Sequence, residues 1–204
     1  MKMKKIRIGI DIDGVIRDFI GRVLDTLNEH YPDNYNGAIP LQWDFSDVLT
    51  DMTLSDLIYG PRGEDIFLYA DPINISGLKY LCGWTKEMEY ELVCCSYQTG
   101  PTILATDKWL QTHNLKKYFV DIIYTKDKWK VDIDYLVDDA PYNYEAWVEN
   151  ERAENKFILM NDSYRNQNVN ATNKINTLFD VPQIINNVEN IKGVIDVGTI
   201  LKNA

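Results

Sequence analysis

Short apolar runs that stop on polar residues, separated by helix-like stretches, set the architecture open to this chain. Lys5 to Asp11 alternates Ile6, Ile8 and Ile10 and ends on an acid. Tyr90–Cys95, Val120–Tyr124, Tyr135–Val137 and Lys156–Met160 are further runs of strand length. Between them, Ile16, Phe19, Ile20, Val23, Leu24 and Leu27 recur at the spacing of one helix face. Helices are also predicted over Ser76–Trp84, from Pro101 through Trp109 and Leu110, and from Pro141 through Val148. Proline suits the first turn of the last two, where its missing N–H costs nothing. Strands that alternate with helices pair in parallel, so the chain is predicted to be α/β, a parallel sheet covered on both faces.

One stretch breaks the rhythm. From Pro40 to Pro72, small apolar clusters (Trp43, Phe45, Val48, Leu49; Leu54, Leu57, Ile58; Ile66 to Tyr69) are separated by Gly, Pro, Ser and Asp. It reads as short helices and loops outside the sheet, with Ser55 and Asp56 as helix-start residues. The tail after Asn166 is rich in asparagine. Its apolar positions Ile175, Leu178, Ile184, Ile185, Ile191 and Ile195 are expected to pack on the core, in an order the pattern does not fix.

Composition narrows the function. Of 204 residues, 45% are hydrophobic and 12% aromatic, enough to bury a core and too many for a disordered chain. No apolar run is long enough to cross a bilayer. The basic start, Met1 to Lys5, leads into a charged strand rather than the apolar stretch of a secretion signal, so a cytoplasmic location is expected. Cys82, Cys94 and Cys95 form neither a disulfide framework nor a zinc pattern. A net charge of −10 repels long nucleic acids. It leaves room for a small phosphate if a cation neutralises it at the site.

In an open parallel sheet, ligands sit beyond the carboxyl ends of the strands. There this sequence carries Asp11 and Asp13 with Gly14, then Ser96, then Thr125-Lys126-Asp127-Lys128, then Asp138-Asp139. Each has an ordinary alternative. An acid often ends a strand, Asp138-Asp139 can cap the helix opened by Pro141, and Lys126, Lys128 and Lys130 can be a solvated face. Their joint placement at successive strand ends is harder to dismiss. Such a cluster repels itself unless a divalent cation relieves it, and hard oxygen ligands suit Mg²⁺. A calcium loop of the EF-hand type is excluded, because Gly14 comes too early and the closing position, counted from Asp11, is Arg22.

Asp11-Ile12-Asp13-Gly14-Val15 is similar to the first motif of the haloacid dehalogenase superfamily of phosphatases. Lys128 resembles its third-motif lysine and Asp138-Asp139 its fourth-motif acids. The segments Thr125–Lys128 and Tyr135–Asp139, with Lys108-Trp109-Leu110 and Asp71-Pro72, look most like the 5′(3′)-deoxyribonucleotidases, including bacterial and phage members. The resemblance spans about Ile6 to Arg165. It implies a Rossmann-like core of residues 1–18 and 71–204 and a helical cap of residues 19–70. It implies Asp11 as nucleophile, Asp13 as general acid and base, Lys128 as the charge-neutralising cation, and Mg²⁺ held by Asp11, Asp13, Asp139 and Asp138. Where relatives carry Thr or Ser at the end of the second strand, often as a Thr-Ser pair, this chain has Cys95-Ser96. Either can hold the position, and Ser96 is the expected phosphate contact. Trp43 and Phe45, with Phe67 and Tyr69, are candidates for a base-stacking pocket or for the small core of the cap. Arg165 is expected to be an ordinary surface arginine.

The leading expectation is thus a phosphatase of (deoxy)nucleoside 5′-monophosphates, whose partner is a small-molecule nucleotide. A phosphatase of sugar phosphates, a polynucleotide 3′-end phosphatase and a non-catalytic binding module are the alternatives. Retention of Asp11, Asp13, Lys128 and the acidic pair argues against the last. A homodimer is compatible with each.

Overall fold

The apolar runs become the strands of one sheet in the computed structural model, which describes residues 5–162 and 165–190. They are β1 (Arg7–Ile10), β2 (Glu91–Ser96), β3 (Asp121–Tyr124), β4 (Tyr135–Asp138), β5 (Phe157–Met160) and β6 (Asn173–Ile175). The order is β3-β2-β1-β4-β5-β6, and every neighbouring pair is parallel. The winding runs outward from β1 in one direction through β2 and β3, and in the other through β4 to β6. The end of β1 is therefore the point where the order reverses, and neighbouring loops part there to leave a crevice.

The two-residue period of a strand sorts its side chains between two cores. Ile8, Ile10, Leu92, Cys94, Tyr135, Val137 and Ile158 face one way, against Leu78, Leu81, Trp84, Trp109 and Ile185. Val93, Cys95, Leu136, Phe157 and Leu159 face the other, against Trp147 and Ile133. The helices α4 (Ile75–Glu87), α5 (Pro101–Thr112) and α7 (Val181–Val188) cover the first face, and α6 (Pro141–Glu149) covers the second. Strands buried on both faces need no polar alternation, which is why they read as continuous apolar runs. Each fully buried Ile or Val contributes about 1.5–3 kcal/mol.

A third cluster lies off the sheet, in the helices α1 (Phe19–His30), α2 (Leu54–Tyr59) and α3 (Gly63–Tyr69) and the loops between them. Val23, Leu27, Phe45, Val48, Leu57, Ile66 and Phe67 bury one another there, with Ala105 of α5. The two chain crossings that join this insert to the sheet run side by side. Asp18 N–H donates to the Asp71 carbonyl at 2.8 Å, Ile73 N–H donates to the Ile16 carbonyl at 2.9 Å, and Arg17 bridges Pro72 in antiparallel sense.

Several boundaries differ from the sequence reading. The predicted stripe from Ile16 to Leu27 is divided: Ile16 packs in the sheet core, and α1 begins only at Phe19, capped by Asp18, which accepts from Gly21 N–H. The start of α2 is Thr53 rather than Ser55 or Asp56. Thr53 and Asp56 bond each other's backbone N–H groups, so Asp56 closes a capping box as its third residue. In the tail, β6 and α7 were not anticipated. An edge strand buries only Ile175, and α7 follows a turn at Leu178–Asp180, so neither presents a long period. The expectations for Ile191 and Ile195, and for the basic start at Met1–Lys4, fall outside the described residues. Among the described residues no helix is long and apolar enough to cross a membrane.

Candidate active site

After Ile10, the Asp11 N–H still pairs with the Val137 carbonyl at 3.0 Å, so the first acid is fixed by the sheet itself. The chain then turns tightly: the Ile12 carbonyl accepts from Val15, Ile16 and Arg17, and Gly14 donates to the Arg17 carbonyl at 3.0 Å. Gly14 sits at φ +74°, and a Cβ there would lie 2.0 Å from Asp139 Oδ2. Only glycine allows both the left-handed backbone and the close approach of the fourth-strand acid.

Asp11 is nearly buried. Its Oδ1 accepts from Ile12 N–H at 2.7 Å and its Oδ2 lies 2.9 Å from Lys128 Nζ. Lys128 is carried by the turn after β3, is 2% exposed, and reaches Asp138 Oδ2 at 2.5 Å as well. Lys126 and Lys130 on the same turn point to solvent, so burial distinguishes the one lysine from its neighbours. Asp138 is fully engaged: Oδ1 accepts from Ala140 N–H at 2.9 Å, and both oxygens accept from Asn143 Nδ2. It thus both anchors the start of α6 and holds Lys128. Asp139 lies at the pocket, 3.6 Å from Arg165 Nη2, while its carbonyl accepts from Asn166 at 2.8 Å.

Electrostatics follow from this crowding. Burial pushes the Asp11 carboxyl up to about 7, Lys128 pulls it down, and Asp138 and Asp13 add to the rise. Asp139 stands well above the carboxylate range because of burial first and Asp138 and Asp11 second, with Arg165 and Lys128 opposing. Burial works against the charge on Lys128, yet Asp11 and Asp138 hold its ammonium group well above its ordinary value. Donor oxygens of Asp11, Asp138 and Asp139 all lie within 4.8 Å of one another. Three buried carboxylates facing Lys128, with Arg165 shared between Asp139 and Asp162, are an oxygen-rich set short of positive charge, the environment a hard divalent cation takes.

Asp13 is held by a different set of partners. Arg17 grips its carboxylate with two bonds, Nε to Oδ1 at 2.7 Å and Nη2 to Oδ2 at 3.0 Å, and Gln98 Nε2 donates to Oδ2 at 2.8 Å. Above these groups opens a cavity of about 250 Å³. Asp11, Asp13, Ser96, Lys128, Asp139 and Arg165 form its polar floor, and Phe19, Trp43, Tyr59, Phe67, Tyr97 and Tyr142 its walls.

The ambiguity at Cys95-Ser96 is resolved by strand parity. Cys95 faces the second core, is fully buried, and its thiol is pushed up to about 12, chiefly by burial. It is therefore absent from the cavity, contrary to its candidacy for phosphate contact, whereas Ser96 lines it. Phe45 also requires correction. It is wholly buried in the insert's own core and does not reach the cavity, while Trp43, two residues earlier, does. Of the other aromatics considered, Phe67 lines the cavity and Tyr69 is exposed. Arg165 is not a surface residue: its side chain is 4% exposed, its guanidinium carbon lies 3.7 Å from the centre of the Trp43 ring, and it pairs with Asp162. Arg17 and Gln98 were missed altogether. For Arg17 the sequence offers only a cation inside an apolar stripe, which Arg22 is as well, so nothing local sets it apart.

A six-stranded parallel sheet in this order, with an acid following the first strand at its reversal point, is the fold of haloacid dehalogenase-like hydrolases. Solved structures of that class share the fold. The magnesium-bound hydrolase YfnB of Bacillus subtilis aligns at TM-score 0.58 and 14% identity, over 90% of this chain and all 100% of its own. CbbY of Rhodobacter sphaeroides, in complex with phosphate, aligns at 0.55 and 11% over 87% and 96%. A haloacid dehalogenase-like protein of Streptococcus pneumoniae aligns at 0.55 and 13% over 89% and 98%. No curated protein matches the chain in sequence. The model of the 5′ nucleotidase, deoxy (pyrimidine), cytosolic type C protein family matches residues 4–191, and the chain belongs to that family. It is a phosphatase of the nucleotidase kind.

Proposed function

We propose that the protein is a Mg²⁺-dependent phosphatase of deoxynucleoside 5′-monophosphates, pyrimidine nucleotides first, acting through an aspartyl-phosphate on Asp11. The observation that carries this reading is the buried pairing of Asp11 with Lys128 at 2.9 Å on the floor of an aromatic-walled cavity. The ammonium group keeps the carboxylate available as a nucleophile and offsets charge on the transferring phosphoryl group.

The residues fit a divalent cation: carboxylate oxygens of Asp11, Asp138 and Asp139 lie within 4.8 Å of one another, and Gly14, lacking a Cβ, lets Asp139 Oδ2 approach the turn that follows Asp11. Asp11, Asp139 and the Asp13 carbonyl would hold it, and Asp138, its oxygens already engaged, would support it indirectly. Bound there, Mg²⁺ would neutralise phosphate charge and orient the ester. In the first half-reaction an Asp11 oxygen bonds to phosphorus, the ester P–O bond breaks, and the leaving oxygen takes a proton from the Asp13 carboxyl. In the second, Asp13 takes a proton from water, the water oxygen bonds to phosphorus, and the bond to Asp11 breaks, releasing phosphate. Ser96 contacts the phosphate, Trp43 and its aromatic neighbours stack on the base, and the segment 19–70 acts as the cap.

The test is phosphate release from a panel of nucleoside 5′- and 3′-monophosphates, ribo and deoxy, with Mg²⁺ or with EDTA. Sugar phosphates and a 3′-phosphorylated oligonucleotide are included. Mg²⁺-dependent turnover of deoxynucleotides, reduced to background by Asp11→Asn, is expected. Turnover confined to sugar phosphates would overturn the substrate assignment and leave the chemistry.

A further inference from the structure

Arg17 is a fully buried arginine that touches none of the groups expected to meet phosphorus. Burying a guanidinium is costly unless its donors are satisfied, and here they are. Besides the two bonds to Asp13, Nη1 and Nη2 both donate to Thr106 Oγ1 at 3.1 Å, and Nη1 donates to the Phe67 carbonyl at 3.2 Å. The planar group is held between two aromatic faces, 5.0 Å from the Phe67 ring and 5.1 Å from the Trp109 ring. Phe67 belongs to α3 of the insert, Thr106 and Trp109 to α5 beside the sheet. Trp109 in turn donates to the Ala70 carbonyl at 2.7 Å, at the returning crossing. Arg17 itself lies on the outgoing crossing. One side chain therefore ties the Asp13 carboxylate to the insert, to the covering helix and to the junction between them.

We infer that Arg17 is a positioning residue, which fixes the Asp13 carboxylate in an orientation set by the insert and so governs proton delivery to the leaving group. The tight turn from Asp13 to Arg17 brings the two side chains together at a four-residue spacing. The two-point grip fixes the plane of the carboxylate, which a single lysine bond would not. Gln98 holds the same oxygen from the loop after β2, so the orientation is determined from two sides. This inference rests on the role given to Asp13 above.

The experiment compares kcat/KM, with Mg²⁺, on a deoxynucleoside 5′-monophosphate and on p-nitrophenyl phosphate, because kcat/KM reports the first half-reaction and leaves out the later hydrolysis that both substrates share. The first leaves as a poor alkoxide that needs a proton; the second leaves as a stable phenolate that does not. Arg17→Met and Arg17→Lys are measured beside wild type and Asp13→Asn. For Arg17→Met the expected result is a loss of about a hundredfold on the nucleotide and less than about tenfold on the aryl ester, the size general-acid catalysis supplies. Arg17→Lys is expected to recover part of the nucleotide activity only. Thr106→Val removes the hydroxyl that orients the guanidinium without stranding a buried charge. It is expected to show the same split at smaller size, which keeps the test open if Arg17→Met fails to fold. Equal losses on both substrates in the Arg17 and Thr106 variants, while Asp13→Asn still splits them, would overturn the role of Arg17 and leave the proposed chemistry intact. No split in Asp13→Asn would remove the acid role of Asp13 and this inference with it.

Discussion

Gly14 and Lys128 show how much of the site depends on single atoms. At Gly14, one methyl group would lie 2.0 Å from Asp139 Oδ2, forcing that carboxylate aside, and would also strain a backbone at φ +74°. Gly14→Ala is therefore expected to fold less stably and to need far more Mg²⁺ for half-maximal activity, read by metal titration. An unchanged metal requirement would refute the idea that Asp139 and the turn share a cation. Lys128→Met removes the cation between two buried carboxylates. At pH 8 it is expected to lose turnover and about 3 kcal/mol of stability to urea, and less at pH 5, where Asp11 can take up a proton instead. Asp11, Asp13, Lys128, Ser96 and Asp139 were legible in the sequence because each lies within a few residues of a strand end. Arg17, Gln98 and Arg165 were not, because what defines them is a partner from elsewhere in the fold: Phe67, Asp13, Trp43.

Elements decide which of two adjacent residues is used. In β2 the alternation sends Cys94 to one core and Cys95 to the other, and brings Ser96 out at the cavity. Ser96→Ala is expected to lower kcat/KM by about tenfold to a hundredfold, the worth of a hydrogen bond to a charged group. Cys95→Ala is expected to leave kcat/KM unchanged while costing about 1 kcal/mol of stability. Steady-state kinetics and urea unfolding on the same pair of variants check both halves. The reverse pattern would mean that the strand is shifted by one residue. Strands β1, β2, β4 and β5 could be found from sequence because both their faces are buried, and the partly buried edge strand β3 because its run Val120–Tyr124 is apolar at four of five positions. An edge strand such as β6, anchored by one isoleucine among polar residues, has no such pattern, and its place follows only from pairing with β5. The insert was recognisable as an interruption, but α2 and α3, of six and seven residues, are too short to show a period. Sequence alone could not divide Trp43 from Phe45, because their separation depends on how the loop crosses the cavity.

For the whole molecule, the acidic centre sets a conflict between stability and readiness for metal. The Asp11 carboxyl, at about 7 in the fold, stands above the 3.8 of the free side chain. At this group the folded protein therefore binds more protons than the unfolded chain between about pH 4 and 7, and the group's contribution to metal-free stability falls as pH rises through that window. The melting temperature in EDTA is expected to drop from pH 5 to pH 8, and added Mg²⁺ to raise it more at pH 8 than at pH 5. A metal-free melting temperature that climbs over this range, or no response to Mg²⁺ at pH 8, would contradict the assignment of a cation to this cluster. The paired crossings at Asp18–Asp71 and Ile16–Ile73 have a consequence of another kind. A chain that leaves the sheet and re-enters it at adjoining rungs forms a closed excursion. Its contents can be lengthened, trimmed or exchanged over generations without moving the strand that bears the nucleophile. Selection for a new substrate can then act on the excursion alone, subject to one constraint: whatever replaces α3 must still offer a backbone carbonyl where Phe67 now meets Arg17.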